Sequence, residues 1–180
     1  MITGTKVNMR RVEERDIPTV TNWLNDPGFT GPHADFPTQI TELDLAKRVL
    51  GPVNVLEWTD YVIENQNREA VGWACHYIDS LNFNWHEIAY AVLPKHRKQG
   101  YATEAAQLLI DYLFMTKDIP RIQAKTNSTN DWSIKVLENA NMKREGALRK
   151  AIWVKPGKWA DGLIYGITRE DWAKPRLLKA

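Results

Sequence analysis

The chain has 180 residues, 43% of them hydrophobic and 26% charged, with a formal net charge of +2. That length supports one domain with a full core, and cations this scattered do not make a nucleic-acid-binding surface. No run approaches the ~18 apolar residues of a membrane helix, no basic-then-apolar leader opens the sequence, and the lone Cys75 excludes an intrachain disulfide, so a soluble cytoplasmic protein without membrane, nucleic-acid or metal partners is expected.

Residues 7–12 alternate apolar and polar and predict a short strand. Asp16 is a candidate cap for a helix that admits Pro18 in its first turn and runs to about Leu24. Residues 26–37 collect Pro27, Gly28, Gly31, Pro32 and Pro37 and predict an irregular loop. A helix over 41–50 follows, with Leu43, Ala46 and Leu50 near one face, and Gly51-Pro52 ends it. Residues 61–64 and 70–78 predict strands joined by a turn at 65–68, and Cys75 falls in the second as a small core residue. A third strand, 86–93, is closed by Pro94.

The clearest helix is 100–115, where Ala102, Ala105, Ala106, Leu109 and Leu113 share a face. Residues 121–125 predict a strand and 130–140 a helix, with Asn141 in the left-handed position that often ends one. Strands over 143–154 and 162–168 follow, separated by a turn at Pro156-Gly157. Three strands joined by short turns, then strands alternating with helices, predict one α/β (α+β mixed) domain over 1–180. Eight tryptophans hint weakly at a deep pocket.

The stretch 87–104 carries the chemistry. A strand ends, a basic turn (Lys95, His96, Arg97, Lys98, Gln99) follows, and Gly100 opens the long helix. Unpaired amides and a partial positive charge make a helix start an anion site. Without bulk at Gly100 and Ala102, a phosphate can approach the backbone closely. Neither a Gly-x-x-x-x-Gly-Lys-Ser/Thr nor a Gly-x-Gly-x-x-Gly run occurs here, which argues against an NTPase loop and a dinucleotide fold. Spacing alone leaves a solvated basic turn equally open.

Arg97-Lys98-Gln99-Gly100-Tyr101-Ala102 resembles the pyrophosphate-binding signature of the GNAT N-acetyltransferase superfamily, Gln/Arg-x-x-Gly-x-Gly/Ala. Thr103-Glu104-Ala105, Asn130-Asp131-Trp132-Ser133, Glu145-Gly146 and Gly157-Lys158-Trp159-Ala160-Asp161 resemble its RimJ/RimL-like branch, and Ala140-Asn141-Met142 stands where the family has Leu-Gly-Phe. The resemblance runs over about 7–172 and implies a mixed, mostly antiparallel sheet flanked by helices, with acetyl-CoA as acyl donor.

Carried over, the resemblance puts the coenzyme pyrophosphate on the backbone of Arg97, Lys98, Gln99, Gly100, Tyr101 and Ala102, with Thr103 as a side-chain contact. It puts the pantetheine arm along Ala91, Val92 and Leu93, the Val92 amide near the thioester oxygen, and Asn130 and Ser133 near the sulfur. Glu87 matches the family's base position; its other reading is a solvent-facing strand carboxylate. His86 is weaker, since it faces the other way. Leu137 stands where many members have an acidic tyrosine, so the proton donor becomes Ser133, with Tyr90, Tyr165 or water as alternatives.

Acceptor walls are implied at 26–37 and 153–161, with Asp35, Phe36, Trp153, Trp159 and Asp161 as contacts. The leading reading is acetylation of a protein or peptide α-amino group. A small-amine acetyltransferase and a silent acetyl-CoA-binding module are the rivals, and the resemblance leaves room for a homodimer.

Overall fold

The computed structural model describes residues 1–30, 39–51, 57–78, 85–155 and 157–178. Asp35, Phe36 and Pro156 lie outside them. In chain order the elements are β1 (Ile2–Thr3), β2 (Val7–Arg11), a 3-10 turn (Glu14–Asp16), α1 (Ile17–Asn25), α2 (Pro27–Thr30), α3 (Glu42–Leu50), β3 (Thr59–Asn65), β4 (Ala70–Ile78) and β5 (His86–Val92). A second 3-10 turn (Pro94–His96), α4 (Tyr101–Thr116), β6 (Arg121–Asn127), α5 (Asp131–Asn139), β7 (Lys143–Lys155), β8 (Lys158–Thr168) and α6 (Arg169–Trp172) complete the chain.

The strands form one eight-stranded sheet in the order β1-β2-β3-β4-β5-β6-β8-β7. Every pairing is antiparallel except β5–β6, which is parallel and stops after His86↔Ile122 and Glu87↔Gln123. Past Glu87 these two strands part, and the gap between them positions the site. The mixed, mostly antiparallel sheet expected from the sequence is therefore present.

Period-2 alternation divides β5 between two cores. Ile88 and Tyr90 face α4, whose Ala105, Ala106, Leu109 and Leu113 pack on the sheet with Ile63 and Ile122. Ala89, Ala91 and Leu93 face the other layer, where Val20, Leu24 and Leu45 of α1 and α3 cover Val62, Trp73 and Cys75. Cys75 is fully buried, and burial pushes its thiol well above the ordinary range. Asn141 adopts the left-handed conformation expected of it, with φ 69°. Among the described residues no helix is long and apolar enough to cross a membrane.

Asp16 departs from expectation. Its side chain does not cap α1; the two carboxylate oxygens instead take Arg10 Nη1 and Nη2 at 2.6 and 2.8 Å, which holds the carboxyl below its usual value. An ion pair across β2 outcompeted the local cap. The expected loop after α1 begins with one helical turn, α2.

Glu104 ties the N-terminus to the first turn of α4. Its carboxylate is 5% exposed and accepts from Thr5 Oγ1 at 2.8 Å, the Lys6 amide at 2.6 Å and the Val7 amide at 3.1 Å. A Cβ at Gly4 would lie 2.4 Å from Glu104 Oε1, so only glycine fits there. Glu104→Ala leaves these donors without their acceptor, and urea denaturation should show a loss of about 3 kcal/mol. An unchanged midpoint would contradict this clamp.

Candidate active site

A cavity of ≈ 340 Å³ opens where β5 and β6 part, bounded by Tyr90 and Val92 of β5, Gly100–Thr103 at the start of α4, and Asn130, Trp132, Ser133 and Val136 of the α5 region. Ala91, His96, Arg97 and Lys98, with Phe29, Lys135 and Asn139, complete the wall. Phe29 belongs to α2 and is stacked on Trp23 with ring centroids 5.5 Å apart.

Gly100 is the N-cap of α4 at φ 83°, a conformation that favours glycine, and no side chain caps the helix. The first intrahelical bond runs from Glu104 N to Gly100 O at 3.0 Å. The amides of Tyr101, Ala102 and Thr103 therefore have no intrahelical acceptor. Because Glu104 turns back to the N-terminal hairpin, the carboxylate of this first turn does not oppose an anion at the helix start.

The basic turn divides its labour differently from the sequence expectation. Lys95 pairs with Glu69 at 2.9 Å, and His96 Nε2 lies 3.0 Å from the same oxygen. Arg97 points inward: Nε donates to Val92 O at 3.1 Å, and Nη2 donates to Gly28 O and Phe29 O at 2.9 and 2.8 Å. Its guanidinium ties α2 to the end of β5. Lys98, at φ 63°, keeps its ammonium 6.0 Å from the Trp132 ring centroid.

Antiparallel pairing settles which β5 amides face the gap. Leu93 N donates to Val71 O on β4 at 2.9 Å. Alternate residues point oppositely, so Ala91 also turns to β4, whereas Val92 and Tyr90 direct their amides toward the gap. Of Ala91, Val92 and Leu93, Val92 alone offers its amide to an arm lying there, and its carbonyl is already engaged by Arg97.

The Tyr90 hydroxyl lies 3.3 Å from Ser133 Oγ and 3.5 Å from Ser133 O. Burial pushes the Tyr90 phenol above its ordinary value, so it stays protonated. Asn130 Oδ1 accepts from Ser133 N at 3.1 Å, which caps α5 and fixes Ser133. Leu137 is buried in the core, and Tyr165 is buried opposite Ala124 on β6.

Glu87 is not a solvent-facing carboxylate: it is 5% exposed. Three donors converge on it: Tyr77 Oη at 2.8 Å, Lys125 Nζ at 2.9 Å and Gln123 Nε2 at 3.2 Å. It lies three residues along β5 from Tyr90, roughly 10 Å at the strand rise, and on the opposite face. His86 faces the α4 side, its ring centroid 5.2 Å from that of His76.

Trp153 and Trp159 pair across the β7–β8 hairpin, and Trp159 is 55% exposed. Asp161 Oδ1 accepts the Lys150 amide at 2.9 Å, and the Asp161 amide donates to Ser128 Oγ at 3.2 Å. The Asp161 carboxylate, expected at the acceptor, thus holds the hairpin. None of the three borders the main cavity, and Asp35 and Phe36 lie outside the described residues.

A slot with apolar walls, free amides at a helix start and inward-facing amides on a parted strand fits a coenzyme with a diphosphate and an extended amide-bearing arm. The acetyltransferase (GNAT) domain family matches residues 6–143. The chain belongs to this family. Acetyl-CoA-dependent acyl transfer and acetyl-CoA as cosubstrate come with the GNAT assignment.

Among curated proteins, the uncharacterised N-acetyltransferase p20 of Bacillus licheniformis is 28% identical over 175 residues, 93% of this chain and 96% of that protein. The uncharacterised N-acetyltransferase YnaD of Bacillus subtilis (strain 168) is 36% identical over 87 residues, 48% of this chain and 51% of that protein, so this match spans about half its length. Among solved structures, the spermidine N-acetyltransferase of Vibrio cholerae in complex with CoA and spermine superposes with a TM-score of 0.81 at 16% identity, over 94% of this chain and 99% of that one. RimL, a ribosomal L7/L12 α-N-protein acetyltransferase in complex with coenzyme A, superposes with a TM-score of 0.77 at 20% identity, over 93% and 96%. At these identities the two structures share the GNAT fold with this chain.

Sequence reasoning did not find Phe29, Lys135 or Asn139 in the cavity wall, nor Tyr77, Gln123 and Lys125 around Glu87. Parallel pairing of β5 with β6 brings Gln123 beside Glu87, and no local pattern announces it.

Proposed function

We propose that this GNAT protein acetylates the α-amino group of a peptide or protein, in the manner of the RimJ/RimL-like branch. One observation carries the coenzyme half of the reading. The three free amides at the start of α4 and the Tyr90–Ser133 hydroxyl pair line a single cavity.

Acetyl-CoA, when bound, supplies an acetyl group activated as a thioester. The amides of Tyr101, Ala102 and Thr103 hold its diphosphate, and the Val92 amide, turned into the gap, orients the arm and polarises the acyl oxygen. The Ser133 hydroxyl, hydrogen-bonded to a Tyr90 phenol that stays protonated, donates a hydrogen bond to the leaving thiolate, which takes its proton from water. The attacking amine must be neutral, and an α-amine has a pKa near ~8. Glu87 accepts its proton through water, since strand geometry sets the carboxylate away from the cavity. A small polycation would ask for unengaged carboxylates, whereas Glu87 is paired with Lys125 and Asp161 holds the Lys150 amide. A cytoplasmic setting accords with a buried, unpaired Cys75.

Thiol release from acetyl-CoA, followed with a panel of peptides, polyamines and amino sugars, tests the reading. Turnover should be seen with peptides and abolished by blocking their N-termini. Turnover confined to small amines would overturn the acceptor assignment, and CoA binding without turnover would leave a silent module. Glu87→Gln should lower kcat/KM by about 100-fold. The deficit should grow as pH falls and more of the amine is protonated. A pH–rate profile matching the wild type would remove Glu87 as the base.

A further inference from the structure

The β7–β8 hairpin runs past the end of the sheet. β6 ends at Asn127, which pairs with Gly162, whereas β8 begins at Lys158 and pairs onward with β7 through Lys155. Because β5 and β6 are parallel, the end of β6 lies on the sheet edge where β5 ends at Val92, the edge to which the cavity opens. The overhang is anchored to that site. Asp161 bonds Ser128 both ways, with Ser128 N to Asp161 O at 2.8 Å and Asp161 N to Ser128 Oγ at 3.2 Å. Ser128 stands two residues before Asn130, which lines the cavity.

The overhang is basic. The pairing of β7 with β8 shifts between Leu148 and Ile152, and in this irregular stretch Lys150 takes φ 51°. Asp161 Oδ1 holds the Lys150 amide at 2.9 Å and so fixes where Arg149 and Lys150 emerge. Both side chains are exposed, as is Lys158 on the returning strand. Among the described residues none of the three has an ion-pair partner. The nearby carboxylates are largely engaged: Glu87 by Lys125 at 2.9 Å, Glu145 by Arg121 at 2.6 Å, and Asp161 by the hairpin itself. Asp131, exposed in the first turn of α5, stands against the three free cations.

We infer that the acceptor is acidic: a peptide whose carboxylates, within a few residues of its amine, lie along Arg149, Lys150 and Lys158. This rests on the peptide reading above and names the class of peptide. The same cations disfavour a polyamine, whose charges would meet them at the mouth. Rim charges of this kind act chiefly on encounter rate and selectivity and are screened by salt.

The test compares two peptides that share their first residue and differ in the next four, all Asp/Glu in one and all Lys in the other, with spermidine alongside. The acidic peptide should have a kcat/KM at least about tenfold higher at low salt. Raising the salt to ~0.5 M should shrink the ratio, and the R149E/K150E/K158E variant should bring it to one or below. The milder R149Q/K158Q variant should give an intermediate ratio if the reversal variant folds poorly. Equal or reversed preference in the wild type, or a ratio indifferent to salt and to both variants, would overturn the inference while leaving the peptide reading standing. Transfer to spermidine with none to either peptide would overturn both.

Discussion

Gly100→Val lowers affinity for coenzyme A by at least about 100-fold, equivalent to about 2.7 kcal/mol, while the protein remains folded. Two effects act together. Gly100 sits at φ 83°, which a β-branched residue adopts only under strain, at a cost of about 1–3 kcal/mol. A Cβ there would also stand 2.9 Å from Lys6 Nζ. That contact is with the end of a flexible side chain, so Lys6 moves aside and the new bulk stays beside the amides of residues 101–103. Relaxing the strain instead re-aims those amides. Either way the diphosphate loses its seat. Calorimetric titration with CoA checks the affinity, and circular dichroism checks the fold. Wild-type affinity in a folded variant would contradict the assignment.

The second large effect is on stability in mild acid. His76 and His86 are 3% and 2% exposed, pack edge to face, and each has a buried Nδ1 without a partner among the described residues. Burial, with repulsion from His86, Lys117 and Arg11 on His76 and from Lys117 on His86, pushes His76 down to about 3 and His86 to about 4. Glu57, which faces His86 at 3.6 Å, acts the other way and is itself held by Lys117. Unfolded histidines bind protons near 6.5, so below that pH the unfolded chain takes up protons that the folded chain refuses.

Stability is therefore complete above about pH 6.5 and falls by up to about 2.7 kcal/mol per pH unit as the pH drops toward 4. Carboxylates held low by their partners, Asp16 and Glu57, lose their contributions only below their unfolded values of 3.8 and 4.5, whereas Asp60, whose carboxyl burial pushes up, acts against the histidines as pH falls. Urea midpoints measured from about pH 6.5 to 5 should fall steadily, with a shallower slope in His86→Leu. A flat profile would show that the two imidazoles are not buried neutral.

The parts of this fold legible in the sequence are those that local chemistry decides. α4 follows from apolar residues at helical spacing, its start from Gly100, the end of the α5 region from Asn141, and the strands from alternation bounded by turns. β1 is two residues long and exists through its pairing with Met9 and Asn8, which no two-residue pattern foretells. The site divides the same way. The helix start was visible because its residues are contiguous.

The inward turn of Arg97, the burial of Glu87 among Tyr77, Gln123 and Lys125, and the use of Asp161 to fix a bulge were invisible because each depends on partners brought in by the sheet. The tryptophans teach a similar point. Their number hinted at a deep pocket, yet Trp132 is the one that lines the main cavity. Trp73 and Trp172 instead hydrogen-bond the buried carboxylates Asp60 and Asp111 at 2.9 and 2.7 Å.

A crystal structure with coenzyme A bound tests the central claim most directly. The account predicts diphosphate oxygens within about 3.2 Å of the amides of residues 101–103, the arm against Val92, and the sulfur facing Tyr90 and Ser133. Coenzyme seated elsewhere, or a helix start contacted by some other part of the molecule, would contradict it.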